Sequence, residues 1–133
     1  MSAFIDIGPA TMERVRPELV VVRFKPGTVA EPTNLLLSMD ARKTHFGDTR
    51  HAVMLVAPED VDFSPSILGR NHYKGKGAEA YTRAMAIVST NDAFTKVLEL
   101  YYALHPAFFP VKFFTSESEA MPWLEAQLVG KPA

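Results

Sequence analysis

The chain predicts an α/β domain built on a mixed sheet of about five strands with about four helices, and three observations carry that prediction. Short Val-rich or apolar runs at Leu19–Lys25, His51–Ala57 and Arg83–Ser89 alternate with helix-periodic segments from residue 28 onward. Two Ser/Thr-x-x-Glu signatures, Thr28–Glu31 and Ser116–Glu119, stand where two of those helices should begin. Prolines 17, 26, 58, 65, 106 and 110 punctuate the changes of pattern. Strands separated by helices require crossover connections, and crossovers give parallel pairs. At 133 residues, with no linker long enough to divide it, the chain is expected to form one domain, 1–133.

Thr11–Val15 alternates weakly and reads as a first strand. Arg16-Pro17-Glu18 reads as a turn, and Leu19–Lys25 as the second arm of an antiparallel hairpin, stopped by Pro26-Gly27. Thr28 then serves as N-cap of a helix, with Pro32 in its first turn and Leu35, Leu36, Met39 and Phe46 as an imperfect apolar face. Gly47 suits the turn that follows. His51–Ala57 is the next strand.

Ser64-Pro65 looks like an N-cap followed by proline at a first helical position. Gly69, Gly75 and Gly77 weaken any helix there by about 1 kcal/mol each, so a short or broken helix is expected within 59–80. Arg83–Ser89 is a strand. Thr90 or Asn91 caps a helix on which Phe94, Val97, Leu98, Tyr101 and Leu104 keep the 3.6-residue period, ending at Pro106. Pro110–Phe114 is the last strand. A final helix carries Ala120, Trp123, Leu124 and Leu128, and Pro122 inside it should kink the helix or move its start to Ser118.

Composition narrows function. The chain has no Cys, so thiolate metal sites, disulfides and a cysteine nucleophile are excluded. With 14 Lys and Arg against 15 Asp and Glu, the net charge of −1 lacks the footprint of a nucleic-acid binder. No apolar run approaches the ~20 residues of a membrane span, and the N-terminal residues show no signal pattern. A soluble cytoplasmic protein is the expectation.

In its second half, the strand Ala84–Ser89, the helix Asn91–Leu104, the strand Val111-Lys112-Phe113-Phe114 and Ser116–Ala120 followed by Trp123-Leu124 resemble the small SpoIIAA-like, or STAS-like, proteins, in particular bacterial STAS/SEC14 domain-containing chains. Leu19–Lys25, Pro26-Gly27 and the helix from Thr28 resemble the first half of that group. The resemblance covers roughly residues 10–128 in element order. It implies a STAS fold, protein partners and a homodimer. It also implies a phosphorylatable serine after the third strand, at the start of a helix. The matching run here is Asp62-Phe63-Ser64-Pro65-Ser66, in which Pro65 intrudes and the family's Ser-Gly core is missing.

Four sets of residues are therefore candidates. Ser64, with Asp62 and Ser66, offers a phosphorylation or anion site at a helix N-terminus; the plainer reading is an N-cap. Arg70, His72, Tyr73, Lys74 and Lys76, with Arg83 beyond them, form the densest basic stretch and suit a phosphate or carboxylate. The spacing is not that of a Walker A loop, and a solvated loop is the plainer reading. His45 and His51 flank a turn that also holds Asp48; the trio has metal-ligand residue types, yet each also suits an exposed turn. No metal or cofactor is assigned.

Tyr101, Tyr102, Phe108 and Phe109 belong to an aromatic excess in the last third of the chain. Adjacent rings cannot all face one core, so Phe108 or Phe109 should be exposed and available to an interface. No nucleophile–base pair or Gly-x-Ser-x-Gly elbow is present. The sequence thus reads as a non-enzymatic protein-interaction domain, expected to be homodimeric. The alternative is a carrier or sensor of a small apolar or anionic ligand.

Overall fold

The computed structural model describes residues 4–30, 32–63, 77 and 80–129. A six-stranded mixed sheet forms the centre, made of β1 (Phe4–Asp6), β2 (Ala10–Arg16), β3 (Leu19–Phe24), β5 (His51–Val56), β7 (Thr82–Val88) and β8 (Val111–Phe114), hydrogen-bonded in that order. A separate parallel pair joins β4 (Val29–Ala30) to β6 (Asp62–Phe63). Three helices, α1 (Pro32–Phe46), α2 (Asp92–Leu104) and α3 (Glu117–Val129), occur among the described residues. The α/β class and the mixed sheet match expectation. Among the described residues the sheet has six strands rather than about five, and the helix expected from Ser64 lies outside them.

β1, β2 and β3 are antiparallel, whereas β3, β5, β7 and β8 run parallel. Sequence pattern reflects this division. The first four residues of β3 and β5 are buried in an unbroken run, and β7 is buried at all positions but one. That is the mark of strands covered on both faces. β2 instead alternates buried and part-exposed residues at its start, as a strand covered on one face does.

One face packs Met12, Val20, Val22, Val53, Met85 and Ile87 against Phe46 of α1 and Phe94 and Leu98 of α2. The other packs Leu19, Val21, Ala52, Met54, Ala86 and Val88 against Ala120 and Leu124 of α3. Arginines hold α3 there: Arg23 grips Glu117 in a bidentate pair, Arg16 meets Glu125, and Arg83 Nη2 donates to the Gln127 and Leu128 carbonyls at 3.2 and 3.4 Å.

Thr28 is not a helix cap. The Thr28 N–H donates to Lys25 O at 3.1 Å, and Gly27 has φ +81°, as a Pro-Gly type II turn requires. The Thr28 hydroxyl is turned to Pro9 O, 3.0 Å away. The turn delivers residues 29–30 to β4, and the helix begins only at Pro32, where a missing N–H costs least. Met39 and Phe46 are buried as expected; the side chains of Leu35 and Leu36 lie outside those described. Gly47 is required sterically, since a Cβ there would stand 2.3 Å from Lys43 O.

Two caps match the sequence reading. Asn91 Oδ1 accepts from Phe94 N–H at 3.0 Å, and Ser116 Oγ accepts from Glu119 N–H at 3.2 Å. Pro122 neither moves the start of α3 nor ends it, because the helix runs from Glu117 through to Val129. Leu104, expected on the buried stripe, is 57% exposed, while Phe94, Leu98 and Tyr101 supply the inward face.

Candidate functional site

Chain direction organises the surface. After β7 the chain enters α2 on one face of the sheet, and after β8 it enters α3 on the other. Adjacent parallel strands whose connections leave to opposite faces part at their C-terminal ends, and ligands of open α/β sheets bind in the crevice this creates. A crevice of about 400 Å³ opens there. Ser89 lines it from the end of β7, Asp92 and Thr95 from the first turns of α2, Lys112 and Phe114 from β8, and Glu119 from α3.

Its groups are arranged by local chemistry. Ser89 is 4% exposed, and its Oγ accepts from Asn91 N–H at 3.0 Å. Lys112 Nζ stands 5.5 Å from the centre of the Phe114 ring, since residues two apart on a strand share a face. Glu119 accepts hydroxyl protons from Thr115 at 2.9 Å and Ser116 at 3.2 Å. A second, apolar cavity lies beneath α1 and α2, lined by Phe24, Leu55, Ile87, Phe94 and Leu98; at about 30 Å³ it has room for about one water.

At the opposite end of the parallel strands is a buried polar cluster. Arg42 of α1, His51 and Thr82 at the first positions of β5 and β7, and Tyr81 are all buried. Arg42 Nη1 donates to Thr82 Oγ1 at 2.7 Å and lies 3.1 Å from His51 Nε2, with its guanidinium 5.0 Å from the centre of the Tyr81 ring. Burial pulls His51 down to about 4, with the Arg42 and Arg14 guanidiniums adding to the effect against the Thr49 carbonyl and Asp48. Asp48 is held low by the Arg14 guanidinium, 2.8 Å from its Oδ1.

The His45–Asp48–His51 trio is therefore not a ligand set. His51 is buried and directed at Arg42 and Thr49 O, Asp48 is bridged to Arg14, and His45 is exposed. Among the described residues, no three His, Asp or Glu side chains gather to hold a metal.

Of the other candidates, Ser64, Ser66, Arg70, His72, Tyr73, Lys74 and Lys76 lie outside the described residues. Asp62 is exposed on β6, its Oδ1 3.0 Å from Phe63 N. Arg83 does not belong to a basic loop: it sits on β7, pairs with Glu18 at 3.2 Å and caps the end of α3.

Tyr101 is buried and Tyr102 half-buried, stacked edge-on at 5.0 Å, and the Tyr102 hydroxyl reaches Met85 Sδ at 3.5 Å. Phe109 is 8% exposed, whereas Phe108 is 75% exposed. The adjacent rings do part, and Phe108 is the one facing solvent. It precedes β8, which among the described residues is an edge strand paired to β7 alone. Leu100 and Leu104, exposed on the outer side of α2, add apolar surface on the same stretch of chain.

The residues of the crevice escaped the sequence reading. Asp92 and Thr95 read as ordinary residues of a helix start, Glu119 as the second half of a capping signature and Lys112 as the polar position of a strand. Their convergence depends on strand order, which no local pattern encodes.

Fold and surface together define a small α/β domain in which the described residues place two helices on one sheet face and one on the other, with an open crevice at the strand ends. The chain belongs to the DUF7793 family, a domain of unknown function whose model matches residues 15–128. No curated protein matches it in sequence. Among the described residues, no helix is long and apolar enough to cross a membrane.

Proposed function

We propose that the protein is a non-enzymatic, STAS-like interaction module that works as a homodimer, joined through the β8 edge. The observation that carries this reading is Phe108, a large apolar ring 75% exposed three residues before an edge strand. An unpaired strand edge is a template for a further strand. Antiparallel pairing of two β8 edges about a twofold axis is self-complementary and closes after two copies. The net charge of −1 sets up little repulsion between copies. The element order and C-terminal resemblance support the STAS-like assignment.

Sedimentation velocity on the purified chain tests this. A dimer is expected, and Phe108→Asp is expected to convert it to a monomer with an unchanged far-UV spectrum. A wild-type chain that stays monomeric at high micromolar concentration overturns the proposal. The second reading, a ligand carrier or sensor, finds room for only about one water in the apolar cavity, so it turns on the open crevice.

A further inference from the structure

We propose that the crevice between β7 and β8 binds a small zwitterion of the α-amino-acid class, through charges of both signs that the topology brings to one place. This rests on the ligand-binding reading, and the site belongs to a single chain, so dimerisation and binding are measured separately.

Position supports it first. The crevice occupies the strand boundary from which α2 and α3 leave to opposite faces, the kind of place where open α/β sheets take ligands. Its 400 Å³ falls in the range of small-molecule sites.

Chemistry then selects the ligand. Ser89 is a built-in polar group, buried except for 4% of its surface. Its oxygen is used by Asn91 N–H, and among the described residues no acceptor meets its hydroxyl proton. A ligand acceptor would complete it. Lys112 adds a cation, and the start of α2 adds the positive end of a helix dipole. These three favour a carboxylate.

A simple anion is disfavoured, because Asp92 and Glu119 face the same space and would repel it. They are acceptors suited to an ammonium group. Glu119 is held in place by the Thr115 and Ser116 hydroxyls. Phe114 supplies an apolar wall for the ligand's side chain. Cation and anion sites in one small crevice that an aromatic ring also lines match a molecule carrying ammonium, carboxylate and a carbon side chain.

The test is isothermal calorimetry and thermal shift on the full chain with individual free L-amino acids. Each is compared with its N-acetyl and its amide derivative, and with acetate. We expect at least one amino acid to raise the melting temperature, since a ligand bound to the folded state alone stabilises it. Blocking either end should weaken binding about tenfold or more. Asp92→Asn should restore much of the affinity for the N-acetyl derivative while weakening the zwitterion, and Lys112→Gln should weaken the zwitterion and spare the amide. Both side chains are exposed, so the fold should survive either change, with the unliganded melting temperature falling by no more than about a few degrees from the lost helix-end charge.

The proposal is overturned if no amino acid binds. It is equally overturned if acetate binds as well as the zwitterion, or if the Asp92→Asn and Lys112→Gln double variant binds unchanged.

Discussion

The Arg42 guanidinium donates a hydrogen bond to His51 Nε2 across 3.1 Å, with both side chains buried. Arginine has no acceptor, so Nε2 must present its lone pair. The ring proton is then on Nδ1, 2.8 Å from Thr49 O. Two neighbours thus fix a neutral imidazole and its tautomer. The charged and titratable groups around it come from three elements: Arg42 on α1, Arg14 on β2 and Asp48 in the turn before β5, with the Tyr81 ring 6.2 Å away.

Acid should therefore weaken the fold through His51. Its ionisation lies near 6.5 when unfolded and about 4 when folded, so the unfolded chain takes up the proton first. The contribution is fully present above about pH 6.5 and drains away as pH falls towards 4, reaching roughly 3 kcal/mol. Asp6, Asp48 and Glu117, held low by Lys25, Arg14 and Arg23, act in the same direction, but only below the ordinary carboxylate range. Urea unfolding of wild type and His51→Gln between pH 7 and 4.5 separates the two effects. The variant keeps an amide oxygen for Arg42, and its slope in this window should flatten. An identical slope would remove His51 from the account.

Arg83 and Arg16 both bridge the sheet side to α3 and should differ in weight. Arg83 is mostly covered and bonds two terminal helix carbonyls as well as Glu18. Arg83→Ala should cost about 1–3 kcal/mol, with carbonyls left without a donor. Arg16 and Glu125 are more open to solvent, at 55% and 36%, and Arg16→Ala should cost under about 1 kcal/mol. Equilibrium unfolding of the two variants checks the ranking, and equal costs would contradict it.

Pro122→Ala should stabilise the protein. Proline in the interior of α3 leaves the Ser118 carbonyl without its helical donor. Both residues are exposed, so water can serve the carbonyl and the helix continues. Alanine restores the donor and should add about 1–2 kcal/mol, less than the full ~3 kcal/mol proline penalty because the freer unfolded chain offsets part of it. A lower melting temperature would show instead that the proline ring contributes packing.

Much of the architecture was readable in the chain. Val-rich runs marked β3 and β5, and an apolar run marked β7. Strands buried on both faces need apolar residues at successive positions. Asn91 and Ser116 marked helix starts, since a side-chain acceptor must meet the first free N–H groups. Thr28 carried the same signal and misled, because Pro26-Gly27 had already committed the backbone to a turn and its hydroxyl was drawn to Pro9 O. β1 went unseen, since three residues show too little alternation to register.

The sequence by itself determined the class of fold, the strands of the parallel core and the exposure of one ring in the Phe108–Phe109 pair. The first two follow from neighbours along the chain, through side-chain periodicity and caps, and the third from two adjacent large rings that one core does not take side by side. Tertiary structure alone decided which ring faces solvent, that His51 would be buried against Arg42, and that Ser89, Asp92, Lys112 and Glu119 would share one crevice. Those groups meet only because β8 lies beside β7 while α2 and α3 leave to opposite faces. Strand order is set by the whole packed sheet, and no local stretch of sequence contains it.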